Sequence, residues 1–125
     1  WMREIVTVHV EEPAHPCVQS LPTEFFIVDE IYEFADEPFS RSQVRVLAGL
    51  NTDSPFTDMS KPMIKRSDGD YPLVWVQRFG EGRSFYTAFG HYKSLYWDPH
   101  ILGHFLAGIQ FACGDLEVET APRGG

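Results

Sequence analysis

The segment Arg83-Ser-Phe-Tyr-Thr-Ala-Phe-Gly-His91 decides how this chain is read. A run of β-formers, Phe85, Tyr86, Thr87 and Phe89, stops abruptly at Gly90-His91. A helix-start signal follows at Trp97-Asp98-Pro99: Asp98 can cap the first amides, and Pro99 suits the first helical position. In an open α/β sheet, residues just past the carboxyl end of a strand line the crevice where ligands bind. His91 falls at such a point, with an imidazole that gains or loses a proton near neutral pH. The plainer reading is a histidine that only hydrogen-bonds its own loop.

Working outward, Pro72 to Phe79 and Arg83 to Phe89 read as two strands of a β-hairpin near 72–89, joined through Gly80-Glu81-Gly82. Both are apolar on both faces, which implies cover on each side of the sheet, as in layered α/β folds. Downstream, 98–113 reads as a C-terminal helix that Gly114 would stop. Its expected apolar stripe comprises Ile101, Leu102, Phe105, Leu106, Ile109 and Ala112, with His100 and His104 opposite, towards solvent or a partner. Upstream, strands are expected over Arg3 to Val10, Glu24 to Phe34 and Gln43 to Leu50. In the second, Phe25, Ile27 and Ile31 share a face with Asp29, while Phe26 and Val28 share the other with Glu30 and Tyr32. The stretch 51–70 is rich in Ser, Thr, Asp, Pro and Lys and reads as a long surface excursion. One helix against about five strands is a poor ratio for a wound sheet. Either the protein is antiparallel α+β, or half of a wound domain is missing; a first residue that is Trp favours the second.

The 125 residues suffice for one domain, and 43% hydrophobic content with ten Phe can fill a core. The division expected is a domain over 1–114 and a linker or disordered tail over 115–125. A net charge of −8 argues against nucleic acid, whose phosphates need Lys and Arg. No apolar run reaches the ~18 residues of a membrane span. The chain is expected to be soluble, cytoplasmic or exported, with the compartment left open. Cys17 and Cys113 are too few and too far apart for a disulfide framework or a zinc knuckle.

Several landmarks come in a telling order: His15-Pro16, Leu21-Pro22, Asp29-Glu30-Ile31-Tyr32, Val44-Arg45-Val46-Leu47-Ala48, Pro72-Leu73-Val74-Trp75-Val76, Gly80-Glu81-Gly82-Arg83, Phe85 to His91, Gly108-Ile109-Gln110-Phe111-Ala112 and Gly114. Over residues 5 to 114 this resembles the C-terminal half of the trehalose-utilisation (ThuA-like) domain, of the class I glutamine-amidotransferase-like superfamily. The resemblance implies a flavodoxin-like, three-layer α/β fold of which only the C-terminal portion is present. It also implies a link to disaccharide and keto-sugar metabolism. His91 then occupies the place of the amidotransferase histidine. Those enzymes carry a glutamate two residues later, where this chain has Lys93, and their cysteine would lie in the absent half. Glutaminase activity is therefore not expected.

His91 and Glu30 are the candidate catalytic pair, His91 as general acid/base and Glu30 as its carboxylate. Glu30 could instead serve in a salt bridge with Arg45 or Arg83. His15, Tyr32, Tyr96 and Trp97 are candidate substrate-binding residues; a turn role for His15 and a core or lid role for the aromatics are the alternatives. No cofactor is expected. Mixed ligands His15, Glu30 and His91 would suit a divalent metal if they converged, and the His100/His104 pair lacks a third ligand. The expected partner is a small-molecule sugar, with a fused domain or a second copy of the chain as further partners. Acid/base chemistry in carbohydrate metabolism is one function class; a non-catalytic carbohydrate-binding or scaffolding module is the other.

Overall fold

The computed structural model describes residues 4–35 and 37–123. Arg3 of the first expected strand, and Gly124 and Gly125 of the expected tail, lie outside them. Five strands, β1 (Glu4–Val10), β2 (Glu24–Asp29), β3 (Arg45–Leu50), β4 (Pro72–Phe79) and β5 (Gly82–Thr87), precede a 3-10 turn at Lys93–Trp97 and the helix α1 (Pro99–Cys113). They form one sheet in the order β2-β1-β3-β4-β5.

Every strand pairing is antiparallel. The expected flavodoxin-like, three-layer arrangement with its parallel sheet is therefore corrected. Parallel neighbours need long crossovers, usually helical. Here residues 11–23 bring the chain back through tight turns such as His15 N–H to Glu12 O and Leu21 N–H to Val18 O. α1 covers one face at β5, and no second long helix lies among the described residues.

The hairpin and helix do form where the sequence places them. β4 and β5 pair from Phe79↔Gly82 to Val74↔Thr87, and Gly80 takes a φ of 59° in the turn. The Asp98 carboxylate accepts from the His100 N–H at 2.8 Å, and Gly114 ends the helix at φ 89°. The register of the helix differs from expectation. Its buried residues are Ile101, His104, Gly108 and Phe111, whereas Leu102, Leu106 and Ile109 are exposed. The reason is Gly108. It lets the Phe85 ring come so close that an added Cβ would meet it at 2.2 Å. That approach turns His104 inward, where it is fully buried, contrary to its expected solvent-facing position.

β2 is shorter than expected, ending at Asp29 rather than Phe34. Its faces are as read: Ile27, Asp29 and, beyond the strand, Ile31 are buried, while Phe26 and Val28 are exposed. In register, Ile27 and Phe25 lie opposite Val6 and Val8 of β1, so these four share the core face. The 51–70 excursion contains no strand. It lies beside the part of β1 that β3 does not reach, where the Thr7 N–H donates to Thr57 Oγ1 at 3.1 Å and Asn51 N–H to Thr7 O at 2.8 Å. No described helix is long and apolar enough to cross a membrane.

The segment read as a linker or frayed end is docked as far as Arg123. Leu116 and Val118 pack on the core, Glu117 pairs with Arg78 and Arg83, and Ala121 O accepts from Arg45 at 2.7 Å.

Candidate functional site

After Thr87 the chain leaves the edge strand β5 and reaches β2, the edge strand on the other side of the sheet. Phe89 leads the way, buried with its ring edge-on to Phe25 at 5.9 Å. Gly90 follows at φ 126°, a conformation that disfavours residues with a Cβ, and such a Cβ would also meet Tyr96 Oη at 2.9 Å.

The next contact anchors the site. Asp29, fully buried at the end of β2, accepts three successive backbone amides: Gly90 at 2.8 Å, His91 at 3.1 Å and Tyr92 at 3.3 Å. A carboxylate taken out of water requires such donors, and each charge-assisted bond is worth about 1.5–3 kcal/mol. Glu30 then grips the same tripeptide by its side chain. Its Oε2 lies 2.9 Å from His91 Nδ1. Adjacent strand residues point to opposite faces, so Asp29 holds the backbone from the core side and Glu30 holds the ring from the outer side.

The Glu30 carboxylate is 17% exposed and the His91 ring 50% exposed, so the pair sits at a rim open to solvent. The other ring nitrogen of His91, Nε2, has no partner among the described residues. Tyr32 also bonds to Glu30; that bond and the carboxylate charge hold its phenol above the usual range. The carboxylate beside the His91 ring thus comes from Glu30, the residue that follows β2. The expected salt bridge of Glu30 with Arg45 or Arg83 is not made: Arg45 pairs with Glu12, and Arg83 with Glu117.

Tyr96 is held by its hydroxyl, which donates to Gly90 O at 3.1 Å, so it braces the loop that presents His91. Trp97 is 83% exposed on the 3-10 turn. His15 is not brought to the site. It is buried past the other end of β1, accepting at Nδ1 from Cys17 N–H at 3.2 Å and donating from Nε2 to Glu119 O at 2.9 Å. Burial lowers its pKa, and its role is to hold the turn. The metal set His15, Glu30 and His91 therefore does not converge, and among the described residues no three His, Cys, Asp or Glu side chains do. His100 and His104 are both engaged: His100 Nδ1 lies 2.8 Å from Ser20 O, and His104 bridges Cys17 O and Thr87 Oγ1.

Asp29 is the residue that sequence reasoning passed over. Its signal was present, a carboxylate on the same strand face as Phe25, Ile27 and Ile31.

Comparison with known proteins follows the same lines. A family model described as ThuA, trehalose utilisation, matches residues 2–112. The crystal structure of a ThuA-like protein from Bacteroides uniformis ATCC 8492 is similar in fold, with a TM-score of 0.64 at 24% identity. The match covers 90% of this chain and 44% of that one, so the chain spans less than half of its length. No curated protein matches the chain.

Proposed function

The chain belongs to the ThuA (trehalose utilisation) family, and on that premise we propose that it acts on a sugar or keto-sugar by acid/base chemistry at His91. The observation that carries this reading is the 2.9 Å contact between His91 Nδ1 and Glu30. A carboxylate on Nδ1 fixes the tautomer and leaves Nε2 as the base. In the proposed step Nε2 takes a proton from the hydroxyl-bearing carbon beside a keto group, and the C–H electron pair moves towards the carbonyl oxygen to give an enediolate. Glu30 stabilises the imidazolium so formed, which returns the proton to the former carbonyl carbon while the hydroxyl proton passes to the former carbonyl oxygen, giving the isomeric sugar and leaving the enzyme unchanged. Tyr32 donates its O–H to Glu30, and its oxygen can accept from a sugar hydroxyl as substrate enters.

Assistance of this kind contributes about 10²–10⁴ in rate. Turnover of keto-disaccharides by the protein and by His91→Ala tests the reading. A fall of that size is expected, with a smaller one for Glu30→Gln, which keeps a hydrogen bond but loses the charge. Undiminished turnover in His91→Ala refutes it. Binding of sugars with no turnover of any of them favours the carbohydrate-binding or scaffolding alternative, which the open rim around His91 also suits.

A further inference from the structure

The face of the hairpin opposite α1 carries a second feature. Trp75 and Tyr86 lie directly across from each other in register and stack, with ring centroids 5.2 Å apart at 12°. Phe34 stands edge-on to Tyr86 at 5.1 Å, and Phe39 stacks on Phe34 at 4.9 Å. Beside these rings is an open cavity of about 270 Å³ whose walls include Phe34, Phe39 and Trp75, with Gln43 and Gln77 also lining it. Drug-sized ligand pockets run from about 300 Å³ upward, so this one suits a single small ring.

Its chemistry narrows the occupant. None of the described lining residues is charged, which disfavours an ionic ligand. The side-chain amides of Gln43 and Gln77 make no hydrogen bond among the described residues. A primary amide both donates and accepts, as a sugar hydroxyl does, so the two groups match in either sense. The Trp75 indole N–H is buried with no acceptor among the described residues. A donor left unmet in this way is unfavourable, and a ligand oxygen within reach of it would satisfy it.

We propose that this aromatic cavity is a binding subsite for one neutral sugar ring, distinct from the His91–Glu30 rim. The ligand class rests on the reading of the family given above; the site itself rests on the cavity. Titration of glucose and of trehalose, followed by the indole N–H resonances, tests it, with Trp75 assigned through Trp75→Phe. The Trp75 resonance is expected to shift with sugar. Gln43→Ala and Gln77→Ala, both at solvent-reached positions, should each weaken binding about fivefold or more, the effect of one net hydrogen bond. His91→Ala should leave the affinity in place. The proposal is overturned if neither sugar shifts Trp75, if binding ignores both glutamine changes, or if phenol fills the cavity while sugars do not. Loss of the acid/base reading, through unchanged turnover in His91→Ala, would leave glutamine-dependent sugar binding standing as a separate result.

Discussion

Acidification should unfold this protein in part through one ring, that of His104. The imidazole is fully buried, with Nδ1–H donated to Cys17 O at 2.6 Å and Nε2 accepting from Thr87 Oγ1 at 3.0 Å. The rings of Phe85, Phe89 and Phe105 surround it within 5.9 Å. Burial lowers its pKa from 6.5 to about 4, against a raising contribution from the Cys17 carbonyl. The unfolded chain therefore binds a proton at this residue from about pH 6.5 downward, while the folded chain resists it to about pH 4. The stabilisation is complete above pH 6.5 and is lost as pH falls between those values. Linkage puts the loss at about 2 kcal/mol by pH 5 and about 3 kcal/mol below pH 4. Urea unfolding at pH 7.5 and pH 5 measures it. Carboxylates such as Asp58 and Asp68, whose pKa values are lowered, also lose stabilisation in acid, so the comparison is made with His104→Gln. That variant keeps a donor and an acceptor but does not titrate. The wild type should lose about 2 kcal/mol more than the variant over this range. Equal losses would mean that the ring is not held neutral, and the reasoning from burial would fail.

Two further outcomes follow from packing and hydrogen bonding. Asp29→Asn replaces an oxygen facing backbone N–H donors with an NH₂ group, and should cost about 3 kcal/mol in urea unfolding while speeding amide exchange at 90–92; native-like exchange there would contradict the anchoring role. Gly108→Ala gains about 1 kcal/mol of helix propensity but drives a methyl into Phe85, and overpacking of about 1–3 kcal/mol should prevail. A urea midpoint at or above wild type would show that Phe85 yields freely.

The elements with local punctuation were legible in the sequence. Asp98, Pro99 and Gly114 mark the helix, and Gly80 to Gly82 mark the hairpin, because caps and turns depend on residues next to one another. The two faces of β2 were legible for the same reason, and they separate Glu30 from Asp29 correctly. Strand direction was not, because it depends on whether a connection folds back or crosses over, and residues 11–23 give no helix with which to cross. Helix register was misread because Gly108 counts for nothing in an apolar pattern, yet its missing side chain admits Phe85. At the site, His91 and Glu30 lie 2.9 Å apart, a contact that neither residue's own strand pattern determines. The remoteness of His15 could not be read, since it depends on a carbonyl more than a hundred residues away, that of Glu119.

The two neighbouring carboxylates have a mechanical consequence. Because Asp29 and Glu30 point to opposite sides of the chain, sliding β2 by a single residue along β1 would turn each to the wrong side, leaving the loop untethered and the imidazole without its carboxylate partner. β2 borders the sheet and is zipped to a neighbour along one side only. The position of the histidine is therefore only as secure as the alignment of that border strand, and substitutions along Val6, Val8, Phe25 and Ile27 should shift the His91–Glu30 contact that none of them makes.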